Sequence, residues 1–143
     1  MSEPADFLAL EGQLIERIRE RLPDLKAVMR ADELATVQQN AQHAPAAHVL
    51  FTGYTPINVQ RDDVVQIGQT WTVVLVTRTV RRHPDEHRGH LSARLIAALH
   101  GWKPSAARTA LSLTNSPIPP SYGPGVAYLP VAFDTSVITR TGD

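Results

Sequence analysis

The sequence predicts an α+β fold, a mostly antiparallel sheet with two main helices packed against it, on three observations. Phe7, Leu10, Leu14, Ile18 and Leu22 recur at steps of three or four, the spacing of one face of a helix. Leu91, Leu95, Ala98, Leu99 and Trp102 repeat that spacing later in the chain. Between the two, residues 69–80 set Trp71, Val73 and Leu75 to one side and Val74, Val76 and Val80 to the other. A strand apolar on both sides is a central strand covered on both faces.

The first helix is expected to open with Pro4 tolerated in its first turn and acids nearby, and to close with Arg17, Arg19 and Arg21 against the negative end of its dipole. Ile15 widens its apolar stripe, and Pro23 stops it by steering the preceding residue out of the α region. Leu25, Ala27 and Met29 then alternate with Lys26, Val28 and Arg30, as in a short strand with one buried face. Residues 31–47 are polar and alanine-rich, with Leu34 and Val37 as the plausible anchors, and they fit a loop or one weak helix equally.

A second strand follows at His48, Val49, Leu50 and Phe51, closed by Gly53 and Pro56 so that it turns away near Tyr54. Val65, Ile67 and the Gly68-Gln69 step suit a hairpin leading into the central strand. His83-Pro84-Asp85-Glu86 reads as the start of the second main helix, with Gly101 as its C-cap and Pro104 preventing continuation. Residues 110–114 and 126–133 are two further strands, and Pro130 marks the latter as an edge or bulged strand because proline cannot donate to a ladder. The connection 115–125 holds four prolines and two glycines, which makes it stiff and protruding. Trp71 and Trp102 both fall on buried faces and are read as core.

Length and charge narrow the function. At 143 residues and 43% hydrophobic the chain suits one domain with one sizeable core. It has no apolar run of about 18 residues, so no membrane span is expected. Glu3 and Asp6 stand where a signal peptide would be basic, so the protein is expected to stay where it is made. Cysteine is absent, which removes disulfides and thiolate chemistry. Lys plus Arg and Asp plus Glu number 14 each, so no field draws a polyanion and sequence-specific nucleic acid is not an expected partner. A net charge near zero is permissive for self-association.

Catalytic patterns are scarce. His83, His87 and His90 are close enough for a metal to be conceivable, but no carboxylate pattern of a zinc hydrolase accompanies them. No G-x-S-x-G elbow occurs, and Ser92 lies among ordinary helix residues. Gly123-Pro124-Gly125 is followed by no helix and makes no phosphate cradle. No enzyme activity, metal or cofactor is therefore expected. Arg78, Arg81 and Arg82 cluster at the exit of the central strand. They are interface candidates for an acidic partner or a second copy, with a solvated rim as the plainer reading. Tyr54 and Tyr122 join them as candidates. Segments 55–63 and 115–125 are expected to be mobile in the free protein and ordered at an interface.

The order of elements resembles the tail terminator proteins of long-tailed bacteriophages over almost the full length. The resemblance is carried by Leu14, Ile15 and Ile18, by Trp71-Thr72-Val73-Val74-Leu75-Val76, by Leu99-His100-Gly101-Trp102-Lys103-Pro104 and by Tyr128-Leu129-Pro130-Val131-Ala132-Phe133. It implies a sheet with helices packed against it, assembled as a hexameric ring that caps the tail tube and faces the head connector. It further implies a homo-oligomer with tail tube protein and head-tail connector proteins as partners. Its place would be the head-proximal end of the virion tail, after assembly in the host cytoplasm. Another head-tail joining or tail tube component, or a small cytoplasmic metal-dependent enzyme, are the rival readings.

Overall fold

The computed structural model describes residues 6–58, 63–79 and 88–140. Helix α1 spans Leu10–Arg21 and buries Leu10, Leu14 and Ile18, with Leu22 buried at its C-cap. Glu11 occupies its first turn and Arg19 and Arg21 its last, each favourable against the dipole. The helix starts later than the spacing predicts. Phe7 sits in a preceding turn where the Leu8 N–H donates to Asp6 Oδ1 at 2.9 Å, a local bond that competes with helix formation. The expected role of Pro4 lies outside the described residues.

Strand β1, Ala27–Arg30, buries Val28 and leaves Ala27 and Met29 half-buried, the reverse of the face expected from Leu25, Ala27 and Met29. The choice follows from α1: Val28 joins the cluster under that helix, and the Arg19 guanidinium donates to the Val28 carbonyl at 2.9 Å. The unassigned stretch holds helix α2, Leu34–Gln39, and a 3-10 turn, Ala41–His43. Val37 is fully buried and Leu34 partly, as suggested, and Ala31, Ala41 and Ala44 add to the same cluster.

The remaining elements are β2 (Ala46–Asn58), β3 (Val64–Arg78), α3 (described over Arg88–Leu99), β4 (Ser112–Thr114), β5 (Ser121–Gly123) and β6 (Val126–Arg140). One six-stranded sheet has the order β1-β2-β3-β6-β4, with β5 also on β6. Among the described residues only β1 and β2 pair in parallel, so the fold is the α+β, mostly antiparallel one expected from the sequence. Leu91, Leu95, Ala98 and Leu99 of α3 are buried, and Gly101, at φ 85°, takes the left-handed conformation after the helix, which glycine adopts without a Cβ clash. The expected helix start at 83–86 lies outside the described residues.

Three expectations about strand ends are corrected. β2 does not turn away at Gly53; the register shifts between Phe51 and Gly53, and pairing with β3 continues through Tyr54, Thr55 and Pro56. A bulge absorbs the extra residue and keeps the strand going. Gly68-Gln69 is no hairpin turn, because Gly68 pairs with Thr55 on one side and Ser136 on the other. β6 is no edge strand: it pairs with β3 without a register shift from Val126 to Arg140. Its other side is shared by β5, reaching Tyr128, and β4, starting at Ala132. Pro130 falls in the gap between them. The Arg108 N–H donates to the Ser136 carbonyl, so even-numbered residues of β6 turn their backbone outward, and by the alternation of an antiparallel strand Pro130 directs its missing donor into that gap.

The connection 115–125 is less protruding than expected. It contains β5, the Ile118 N–H donates to Ser116 Oγ at 3.0 Å, and Ile118 packs on the sheet.

The core lies on both faces of the sheet. Under α1 and α3, Leu14, Ile18, Leu91, Leu95 and Leu99 meet Trp71, Val73, Leu75 and Phe133. On the reverse face Val37, Ala31 and Ala44 meet Leu50, Val74, Val76 and Tyr128. The central strand is thus covered on both sides by its own chain.

Candidate functional site

The bulge that carries β2 past Gly53 also aims Tyr54. It brings Tyr54 to the side of the sheet occupied by Phe51, and Phe7 from the turn before α1 closes the group. Phe7 meets Phe51 edge-on at 5.7 Å and Tyr54 edge-on at 5.5 Å, and Phe51 and Tyr54 are nearly parallel at 6.4 Å. The Phe7 carbonyl accepts from Gln69 Nε2 at 2.7 Å, and Gln69 Oε1 accepts from the indole N–H of Trp71 at 3.0 Å. Tyr54 therefore rests on a foundation tied to the core while remaining 62% exposed. Ile57, 56% exposed, follows on the same strand.

Tyr122 of β5 is 66% exposed, with the Arg88 guanidinium over its ring at 5.5 Å. Such a pair stiffens an otherwise free aromatic side chain. Arg78, the last residue of β3, is half-buried and pairs with Val126. Arg81, Arg82, His83 and His87, and with them most of the arginine cluster and of the histidine group, lie outside the described residues; His90 is exposed on α3. Among the described residues no three His, Cys, Asp or Glu side chains stand close enough to hold a metal.

The concave regions are open. A groove of about 500 Å³ runs between the end of α1 and β1, lined by Arg19, Leu22, Leu25, Lys26 and Met29 among others. A second, of about 330 Å³, is lined by Glu16, Arg17, Glu20 and Trp102, with Arg17 stacked on the Trp102 ring at 4.9 Å. Ser92 Oγ donates to the Arg88 carbonyl one turn back, the bond of an ordinary helical serine. The second groove also holds Ser105, whose hydroxyl accepts from Gln13 Nε2 at 2.8 Å, an amide that cannot serve as its base. Among the described residues no helix is long and apolar enough to cross a membrane.

A family model described as phage tail terminator protein matches residues 3–142. The chain belongs to that family. No curated protein matches it. Membership makes the chain a structural component of a phage tail, one whose role brings it against other tail and head proteins. Three residues of the aromatic group around Tyr54 are not evident from sequence. By sequence Phe7 falls in a helix stripe, Phe51 at a strand end, and Ile57 within the segment 55–63 expected to be mobile. The Gly53 and Pro56 turn signals hid the continuing strand that joins Phe51 and Ile57 to Tyr54.

Proposed function

We propose that this tail terminator works without catalysis, as a hexameric ring of identical copies that caps the end of the tail tube, stops its polymerisation and offers a docking face to the head connector. The family match over residues 3–142 carries this reading. A tube built by head-to-tail contacts always exposes one unsatisfied ring of interface, so growth ends only when a different protein covers that ring without reproducing it. Tyr54 and Tyr122 offer exposed aromatic surface of the kind that anchors interfaces, and Arg78, Arg81 and Arg82 offer charge that steers docking.

Adding the purified protein to polymerising tube subunits should halt elongation at substoichiometric amounts, and phage lacking it should carry tails of uncontrolled length with few joined heads. Tails of normal length, correctly joined in its absence, would refute the proposal. Reversing Arg78 and Arg82 to Glu together should weaken association at low salt while leaving the fold intact; unchanged binding would return those arginines to a solvated rim.

A further inference from the structure

Two side chains of the reverse face, His48 and Ser121, have buried polar atoms without a hydrogen-bond partner among the described residues, and of the two only the imidazole can take up a proton near neutral pH. His48 of β2 is 0% exposed, and neither imidazole nitrogen has a hydrogen-bond partner among the described residues. Its neighbours in register are Met29 of β1 and Val74 of β3. By strand alternation it points to the same side as Leu50, toward the apolar cluster beneath α2. A charged imidazole in such a place would lose its hydration with nothing in return, and burial, with a smaller contribution from His43, holds the His48 pKa below its ordinary 6.5.

The titratable and charged groups on the surrounding elements do not offset this. The covering segment carries Asp32, Glu33 and His43, all exposed. β1 carries Arg30, which is ion-paired with Asp32 at 3.1 Å. β3 contributes Arg78, its last residue, on the side of Val74 and Val76, and β6 contributes Tyr128, whose own pKa burial raises.

What covers His48 is thin. Residues 32–44 comprise the six-residue α2, which has no side-chain cap at its N-terminus, and a three-residue 3-10 turn. The segment is clamped at both ends: the Ala31 N–H donates to the Val49 carbonyl at 3.0 Å, and the Lys26 N–H to the Pro45 carbonyl at 2.8 Å. Between the clamps it is held mainly by Leu34, Val37, Ala41 and Ala44. Lifting it breaks no strand pairing and exposes Leu34 and Val37 with the part of the sheet beneath them, while the helix-covered face stays closed, so local opening requires less free energy than unfolding.

We propose that residues 32–44 are an acid-released cover with His48 as its trigger: the imidazole is protonated only when the cover lifts, so a fall in pH opens the reverse face of the sheet. The closed form, with a depressed pKa, binds no proton where the open form does. Opening is therefore favoured as pH falls through 6.5, and the gain stops at the lower pKa of the closed form. If the open form titrates normally and the closed form stays neutral, going from about pH 7.5 to about pH 5.0 raises the open-to-closed ratio about 30-fold.

Amide hydrogen exchange by NMR tests this, with each rate divided by its intrinsic chemical rate at the same pH. In the wild-type protein, amides of residues 34–43 should lose protection about 30-fold between these two pH values while those of β3 keep theirs. His48→Leu should abolish the pH response, and His43→Gln should retain it. Equal protection at both pH values, or the same response in His48→Leu, overturns the proposal. Should His48→Leu fail to fold, titration of the wild-type imidazole decides: an ordinary pKa with the cover still protected overturns it, and a depressed pKa that tracks cover opening supports it.

Discussion

Trp71, Val73 and Leu75 of β3 lie beneath two 12-residue stretches of helix, α1 and α3, whereas Val74 and Val76 of the same strand lie beneath a six-residue helix and a proline-rich loop. All five side chains are fully buried. Equal burial thus conceals unequal attachment. Uncovering the first face means detaching Leu10, Leu14, Ile18, Leu91, Leu95 and Leu99 together. Uncovering the second means moving Val37 and Ala44 with the partly buried Leu34, Ala41 and Ile118. The free energy of opening scales with the apolar area exposed in the process, so the two faces should respond very differently to the same kind of substitution.

The largest expected effect is on the helix face. Trp71 is the largest fully enclosed side chain, in contact with Phe51 at 5.1 Å and bonded to Gln69. Trp71→Ala should cost about 3–5 kcal/mol by urea denaturation and lower the midpoint of one cooperative transition. A loss confined to local exchange, with the midpoint unmoved, would break the comparison.

A smaller effect with a different signature is expected on the reverse face. Val37→Ala removes the one fully buried side chain of α2, about 2 kcal/mol of burial and packing. Exchange of amides 34–43 should accelerate well beyond that of β3. Uniform acceleration across both would mean that the cover and the sheet open as one unit.

The smallest effect belongs to the rim of the helix layer. Arg17 stacks on half-buried Trp102 and donates to the Ala98 carbonyl at 3.1 Å. Arg17→Ala should cost about 0.5–1 kcal/mol in the same denaturation measurement. A cost as large as that of Trp71→Ala would move the centre of the core toward the α1–α3 seam.

The candidate surface was legible only in pieces. Tyr54 and Tyr122 stand out as aromatics among turn-forming residues, and both are exposed. Their partners were not legible, because Phe7 reaches Tyr54 across the sheet and Arg88 reaches Tyr122 from another element. His48 looked like one more residue of an apolar run; its isolation appears only once its strand neighbours and the cover above it are in place.

The sequence by itself determined the elements whose signals are local. The 10, 14, 18, 22 spacing and Pro23 define α1, the spacing from Leu91 to Leu99 with Gly101 defines α3, and the apolar alternation on both sides defines the middle of β3. Each rests on periodicity and backbone preference, which act over a turn or two of chain. Tertiary structure decided where strands end and which face they bury. Gly53, Gly68 and Pro130 carry turn or edge signals, yet all three lie inside long strands. Ladder hydrogen bonds from neighbouring strands outweigh a local preference of about 1 kcal/mol, and the gap between β4 and β5 accommodates the donor that Pro130 lacks. Likewise β1 buries Val28 because α1 settles on that side. A four-residue strand has no periodicity long enough to choose a face before its neighbours do.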